Sequence, residues 1–389
     1  MLLSNHFNKN VFRVSSQIVS TVFMTFCLTS AGNAQSVSNS QSVSNSQSVN
    51  NEQSVSFEDE RIEVTVPYKE GGGTDTWARF FGPYFSQSLP GKPVVVIRNI
   101  PGGGSTKGAN QFARRASDDG LDVLASSAST HYTYLLNDRR VRYDYNDWKP
   151  VLATPTGGVV YISADEGIKN VEQFVNNLDK LQFKYASQGA TTIDLVPLLA
   201  LDLIGADVQA VFGMKGRGAG RLAFERGEVN IDSQTSSAYL KKVVPLVEEG
   251  KAIPLFSFGV VDEQGHLQRD PNFPDLPHFG EVYQLAKGDI DSSQGFKVWR
   301  SFFIAGFVAQ KVFFLPKSTP QDVQDAWRDA MIKLVAEPDF QKRAKEVLGN
   351  YKQLTGTEAD QAVDAILSLD ENSKKWVAKW LKEKYNTRL

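Results

Sequence analysis

The chain has 389 residues, 41% of them hydrophobic, enough apolar surface for more than one core. Its 42 basic side chains nearly balance 44 acidic ones. No global field exists to draw in a polyanion, so nucleic-acid binding has no electrostatic basis, and anion specificity must come from local geometry.

Lys9 and Arg13 precede an apolar stretch over residues 18–28, and small residues at Gly32 and Ala34 follow. This is the pattern of an export signal cleaved near Ala34, giving a signal peptide over residues 1–34 and a periplasmic location. The apolar run is about a dozen residues, short of the ~20 that span a bilayer, which argues against an uncleaved anchor. The one cysteine, Cys27, lies inside it, behind Phe26 where lipoprotein processing wants a small residue. The mature chain is then expected to lack cysteine, which removes thiol catalysis, cysteine metal sites and disulfides. Next, QSVSNS starts at Gln35 and repeats at Gln41, with looser copies at Gln47 and Gln53. Serine, asparagine and glutamine bury too little apolar surface to offset ordering entropy, so residues 35–56 are expected to be a flexible tether.

The body alternates strands and helices. Residues 62–66 show strand periodicity, a glycine-rich turn follows, and Trp77, Phe80, Phe81, Tyr84 and Phe85 fall at helical spacing. Gly82-Pro83 is expected to kink that helix. Residues 94–97 read as a buried parallel strand, 108–116 as a helix and 121–124 as a third strand, a β-α-β-α-β order that predicts a doubly wound lobe. A second set has strands at 159–162 and 183–186 and helices at 171–178 and 192–204. Residues 302–308 read as another buried strand, Pro320 opens a long helix, and a helix around Trp376 and Trp380 is expected to close the first lobe.

The sharpest local feature is Pro67-Tyr68-Lys69-Glu70-Gly71-Gly72-Gly73-Thr74-Asp75, between the first strand and first helix. Three glycines allow close backbone approach, and a helix start offers unpaired N–H groups at the positive end of the dipole. The residues alone leave two readings open: a capped tight turn, or a seat for a carboxylate or phosphate. Neither the Walker pattern nor the dinucleotide-binding spacing is present.

Here the chain resembles the solute-binding proteins of tripartite tricarboxylate transporters, the Bug family. The resemblance rests on this Pro-x-x-x-Gly-Gly-x-Thr-Asp pattern with Ala78-Arg79 after it. In the same order come Asn99-Ile100-Pro101-Gly102-Gly103-Gly104, Gly108-Ala109, Asp119-Gly120, Tyr143-Asp144, Trp148-Lys149-Pro150-Val151, Tyr185-Ala186-Ser187-x-Gly189, Arg226-Gly227-Glu228-Val229-Asn230, Pro274-Asp275-Leu276-Pro277 and Leu315-Pro316-Lys317-Ser318-Thr319-Pro320. It covers residues 61 to about 357.

The resemblance implies an α/β, two-lobed periplasmic-binding-protein-like fold of type II, each lobe a doubly wound sheet, with the ligand in the cleft between. Lobe 1 is expected over 57–157 and 301–389, and lobe 2 over 158–300. It implies one clasp of Tyr68, Gly71, Gly72, Gly73, Thr74 and Asp75, and another of Ser187, Gly189, Thr191 and Thr192. The residues themselves agree on the second, since hydroxyls and bare backbone stand at an expected helix start. Ser126, Ser127, Ser129 and Thr130 follow the third strand, where a doubly wound lobe exposes strand ends to ligand. The chain departs from the family at Lys69-Glu70, Thr191, Leu195, Gly213 and Asn230, so the second lobe's half of the pocket is expected to be remodelled.

His6, His131, His266 and His278 are scattered without metal-ligand spacing, and no nucleophile-elbow motif occurs. His131 is expected as a surface or hinge residue, with ligand contact as the alternative. Lys215, Arg217 and Arg221 form either a solvated rim or a carboxylate contact. The implied function is capture of a small organic carboxylate, as a monomer, for the membrane subunits of a tripartite transporter. No cofactor, metal or catalytic residue is expected, nor a nucleic-acid partner. A sensing module for a membrane kinase and a periplasmic hydrolase using Ser129 or His131 are the alternatives.

Overall fold

In the computed structural model, residues 55–262, 265–387 and 389 are described. The expected signal peptide and all but the last two residues of the expected tether lie outside them. The chain opens with β1 (Arg61–Val66), α1 (Gly73–Ser88), β2 (Val94–Asn99), α2 (Thr106–Arg115), β3 (Asp122–Ser127), α3 (Ala128–Leu135) and β4 (Trp148–Thr154). Strand β1 buries Ile62, Val64 and Val66, the period-two set. It pairs in parallel with β2 on one side and β3 on the other, so α1 and α2 are crossovers. The C-terminal ends of β1 and β3 therefore share one edge of the sheet, from which residues 67–72 and the start of α3 emerge. Helix α1 continues through Pro83 to Ser88.

Beyond residues 155–157 come β5 (Gly158–Ser163), α4 (Val171–Asn176), β6 (Phe183–Ser187), α5 (Leu195–Ile204), β7 (Val208–Phe212), α6 (Arg217–Glu225), β8 (Ile231–Thr235), α7 (Ser236–Lys242), α8 (Val244–Glu248) and β9 (Ala252–Ser257). A short hairpin of β10 (Val260–Val261) and β11 (Leu267–Gln268) leads to α9 (Phe279–Lys287) and α10 (Gln294–Phe307). Here β5 is flanked antiparallel by β8 and β9, while β6 and β7 form a parallel pair. The chain then returns through β12 (Lys311–Pro316), α11 (Gln321–Ala336), α12 (Pro338–Leu348), β13 (Leu354–Thr355), α13 (Thr357–Leu367) and α14 (Glu371–Tyr385). Strand β12 inserts antiparallel between β3 and β4, completing a six-stranded sheet of order β13-β4-β12-β3-β1-β2.

Three expectations are corrected. Residues 302–307 are not a strand but the end of α10, and the buried strand is β12, after it. Phe296, Trp299, Phe303 and Phe307 recur at helical spacing and stack ring upon ring, Trp299 on Phe303 at 5.2 Å. A short apolar run does not by itself distinguish the two periods. Helix α5 starts at Leu195 rather than Thr192, leaving residues 188–194 as a loop. Helix α14 does not close the first sheet. The Trp380 Nε1–H donates to Asp202 Oδ2 at 2.7 Å, and the Tyr385 ring meets Phe212 at 5.2 Å, so α14 packs on α5 and β7.

Helix α10 lies flush against α3. A side-chain carbon added at Gly306 would sit 1.7 Å from the Tyr132 hydroxyl, which donates to the Phe302 carbonyl at 2.6 Å. Among the described residues no helix is long and apolar enough to cross a membrane, and no cluster of metal-ligating side chains is found.

Candidate functional site

At the C-terminal edge of the first sheet, β1 runs into the glycine-rich loop. Gly71 adopts a left-handed conformation with φ +73°, which a residue with a side chain rarely holds. Gly72 is the N-cap of α1 and offers no side-chain cap. The amides of Gly73, Thr74 and Asp75 meet no acceptor among the described residues. They carry the positive end of a helix dipole built from α1.

Asp75 is a brace for this loop. Its carboxylate accepts from the Gly71 amide at 2.8 Å, from Arg79 Nε at 2.9 Å and from Asn99 Nδ2 at 2.9 Å, while Asn99 also donates to the Tyr68 carbonyl at 3.0 Å. Burial raises its pKa, but Arg79, the Gly71 amide and Asn99 outweigh that and hold it below the usual carboxylate range. Two members of the expected clasp, the Gly71 amide and the Asp75 side chain, are therefore engaged with each other.

Half-buried Tyr68 lies between the loop and β3. Its hydroxyl bonds Ser127 Oγ at 2.6 Å and Thr130 Oγ1 at 2.9 Å, and Thr130 donates to Ser105 Oγ at 3.0 Å. Burial, partly offset by these hydroxyls, raises the phenol pKa. Ser105 went unnoticed in the sequence, although it follows Gly102-Gly103-Gly104, three consecutive positive-φ residues. Ser127 ends β3, and Ser129 and Thr130 lie in the first turn of α3 rather than in a loop. Ser126 points to the opposite face, against the Tyr145 hydroxyl at 2.7 Å.

The two lobes meet through these residues. The Ile193 amide donates to Ser129 Oγ at 3.2 Å, Thr191 comes within reach of Asp138, and a carbon added at Gly104 would touch the Thr192 methyl at 3.8 Å. In the facing loop, Thr192 Oγ1 donates to the Gly189 carbonyl at 2.7 Å, and the Gly189 amide donates to Ser187 Oγ at 3.1 Å. Ser187, Thr191 and Thr192 are all buried.

Two residues now dominate the second lobe: Asp194, never singled out, and Arg217, weighed only as rim or ligand contact. The Asp194 carboxylate accepts from Ser187 Oγ at 3.0 Å, the Gln188 amide at 2.6 Å and the Tyr185 hydroxyl at 3.0 Å. Arg217 pairs with it at 3.1 Å and also with Asp232. Its guanidinium lies over the Tyr185 ring at 4.8 Å and donates to the Ala186 carbonyl at 2.7 Å. Burial opposes the charge, but Asp194 and the neighbouring tyrosines raise the arginine pKa. Asp232 completes the cluster by accepting from the Tyr161 hydroxyl at 2.5 Å and Gln234 Nε2 at 3.0 Å. Arg217 is thus neither rim nor free for ligand; it answers the chain's own carboxylates. Arg221 pairs with Glu225.

Beside this cluster is a cavity of about 10 Å³ lined by Ile193, Pro197, Arg217, Gln234, Phe258 and Phe307, room for about one water. A wider hollow of about 510 Å³ opens near Lys180, Lys184 and Asn230. That end is away from Ser187: Asn230 accepts from the Lys184 amide at 2.8 Å and donates to the Gln182 carbonyl at 2.8 Å, bracing the start of β6. Asn230 is accordingly outside the cleft, while Leu195 is buried core.

His131 is neither at the surface nor paired with Ser129. It is fully buried on α3, edge-on to Tyr145 at 5.4 Å, and neither ring nitrogen has a side-chain hydrogen-bond partner among the described residues. Burial drives its pKa down to about 3, against which the Ala305 backbone gives only partial relief. The serine accepts from Ile193 instead, so the two do not form a nucleophile and base.

Residues 85–362 match the model of the tripartite tricarboxylate transporter family receptor. Among solved structures, the periplasmic binding protein BugD is 21% identical, with a TM-score of 0.62 over 83% of this chain and 97% of that one. MatC from Rhodopseudomonas palustris, with bound malate, is 21% identical, with a TM-score of 0.58 over 84% and 98%. An R. palustris protein with adipate is 18% identical, with a TM-score of 0.59 over 83% and 97%. At these identities the structures speak for the fold. No curated protein sequence matches the chain.

Proposed function

The chain belongs to the tripartite tricarboxylate transporter receptor family, and we propose that it is exported, captures a small organic carboxylate between its lobes, and hands it as a monomer to the membrane subunits of such a transporter. The start of α1 carries this reading. The amides of Gly73, Thr74 and Asp75 have no acceptor among the described residues, and the Asp75–Asn99–Arg79 brace holds them in place at the sheet edge. A carboxylate there gains charge-assisted hydrogen bonds and a favourable dipole, the latter worth up to about 2 kcal/mol when partly buried. Malate and adipate in two structural relatives are acids of the kind such a seat fits.

In this reading the ligand enters with the lobes parted; the cavity beside Arg217 holds only about one water. The Ser129–Ile193 hydrogen bond is one contact that opening breaks. Lobe closure then excludes water, which strengthens the contacts. Residues 57–157 and 301–389 form lobe 1 and 158–300 lobe 2 in this proposal, with α14 reaching across to α5.

The test is a thermal-shift screen of di- and tricarboxylates, aromatic acids and amino acids against neutral sugars and amines. A bound acid at a hundred times its dissociation constant stabilises by about 2.7 kcal/mol, a readable rise in melting temperature. A rise with sugars or amines but with no acid sinks the carboxylate reading.

A further inference from the structure

Lysine is almost never fully buried unless it is paired, yet Lys311, the first residue of β12, is only 6% exposed. The one acceptor its ammonium meets among the described residues is the neutral side-chain oxygen of Gln310. Three donors on a cation thus share one uncharged partner.

Its place in the sheet gives this meaning. Lys311 stands opposite Ser127 on β3 and opposite Thr154 on β4, at the edge from which the clasp loop emerges. Alternation along β12 settles which face it takes. Two residues on, Phe313 stacks on Trp77 of α1 at 3.8 Å, whereas Val312 and Phe314 pack into the opposite core. Lys311 therefore belongs to the α1 face. Its flanking hydroxyls belong there too: Ser127 meets Tyr68 at 2.6 Å, and Thr154 accepts from Trp77 Nε1 at 2.9 Å. Trp77 is one helical turn beyond the unpaired amides of α1.

Among the described residues no acid answers this charge. Asp75, the carboxylate of the clasp loop, is taken by Arg79, Asn99 and the Gly71 amide. Asp270, behind residue 157, is taken by Tyr351 and Ser236. Two residues past Thr154, the buried Thr156 hydroxyl meets no partner among the described residues.

We propose that Lys311 is the cationic contact for the ligand, its ammonium forming an ion pair with the carboxylate seated at the start of α1. This rests on the carboxylate reading above and deepens it: the receptor recognises a full negative charge, not merely an acceptor oxygen. Burial alone lowers the ammonium's pKa to about 8, and an incoming acid supplies the counter-charge that burial denies it.

The test is titration calorimetry with malate, adipate, citrate and benzoate on the wild type, K311M and K311R, with melting curves of the free proteins. Free K311M is expected to melt higher than wild type, since a buried unpaired charge is gone. Its affinity for the acid that binds wild type best should fall at least tenfold, and K311R should retain more of it. Equal affinity in wild type and K311M overturns the ion pair while leaving carboxylate capture intact. Wild type that binds none of the acids overturns both. Should K311M fail to fold, the monoamide of the best acid tested on wild type decides: at least tenfold weaker binding supports the ion pair, and equal binding overturns it.

Discussion

Arg217→Met is expected to destabilise the protein by about 3–5 kcal/mol, the range for removing one partner of a buried charge pair. The guanidinium is 12% exposed, and the carboxylates it answers, Asp194 and Asp232, are 1% and 0% exposed. Without it, two negative charges remain buried with only neutral donors: Tyr185, Ser187 and the Gln188 amide for Asp194, and Tyr161 and Gln234 for Asp232. The cluster already carries one more carboxylate than guanidinium, so it has no spare cation to take over. Arg217→Lys should recover only part of the loss, because one ammonium cannot reach Asp194, Asp232 and the Ala186 carbonyl together. Equilibrium unfolding in urea measures this directly. A loss below about 1 kcal/mol, the scale of an exposed pair, would mean that water reaches the cluster.

The second large effect is a pH dependence set by His131. The unfolded imidazole gains its proton below pH 6.5, whereas burial keeps the folded one neutral down to about 3. Between those values the unfolded state binds more protons, so stability falls as pH falls, and this contribution is complete above pH 6.5. At 1.36 kcal/mol per unit, the full window is worth about 4–5 kcal/mol. His131→Leu, which keeps the buried volume apolar, should match or exceed wild-type stability at pH 7 and lack this part of the acid loss. The comparison is urea unfolding of both proteins at pH 7, 5.5 and 4. Parallel losses in the two would mean that His131 is not the titrating group.

The residues were most legible where structure is local. The first strand, the glycine turn and the start of α1 are contiguous, and a bare glycine N-cap before an aromatic helical stripe marks the helix end directly. What failed was nonlocal or ambiguous in period. Residues 302–308 are apolar enough to suit a buried strand, and only their packing of ring on ring reveals a helix. Helix α14 was assigned by position along the chain, yet its partners, Asp202 and Phe212, are far away in sequence.

The second lobe's chemistry was hidden for the same reason. Asp194, Arg217 and Asp232 lie on a loop, a helix start and a strand, and no spacing rule joins them. Reading the 187–192 hydroxyls as a ligand clasp followed from their types alone. The fold turns Ser187 toward the chain's own Asp194 and Thr192 toward the Gly189 carbonyl. The departure at Asn230, weighed as a change in the pocket, braces the far end of β6 instead. Lys311 was not singled out in the sequence, and only the sheet order places it at the edge from which the clasp loop emerges.

The central claim is that one carboxylate of a small acid sits on the amides of Gly73, Thr74 and Asp75. The most direct test is a crystal structure of the complex with the acid that raises the melting temperature most. The predicted result has a carboxylate oxygen about 2.7–3.2 Å from at least two of those amides, inside the closed cleft. A ligand lodged instead in the hollow beside Lys180 and Lys184, or one with its carboxylates turned away from α1, would contradict it.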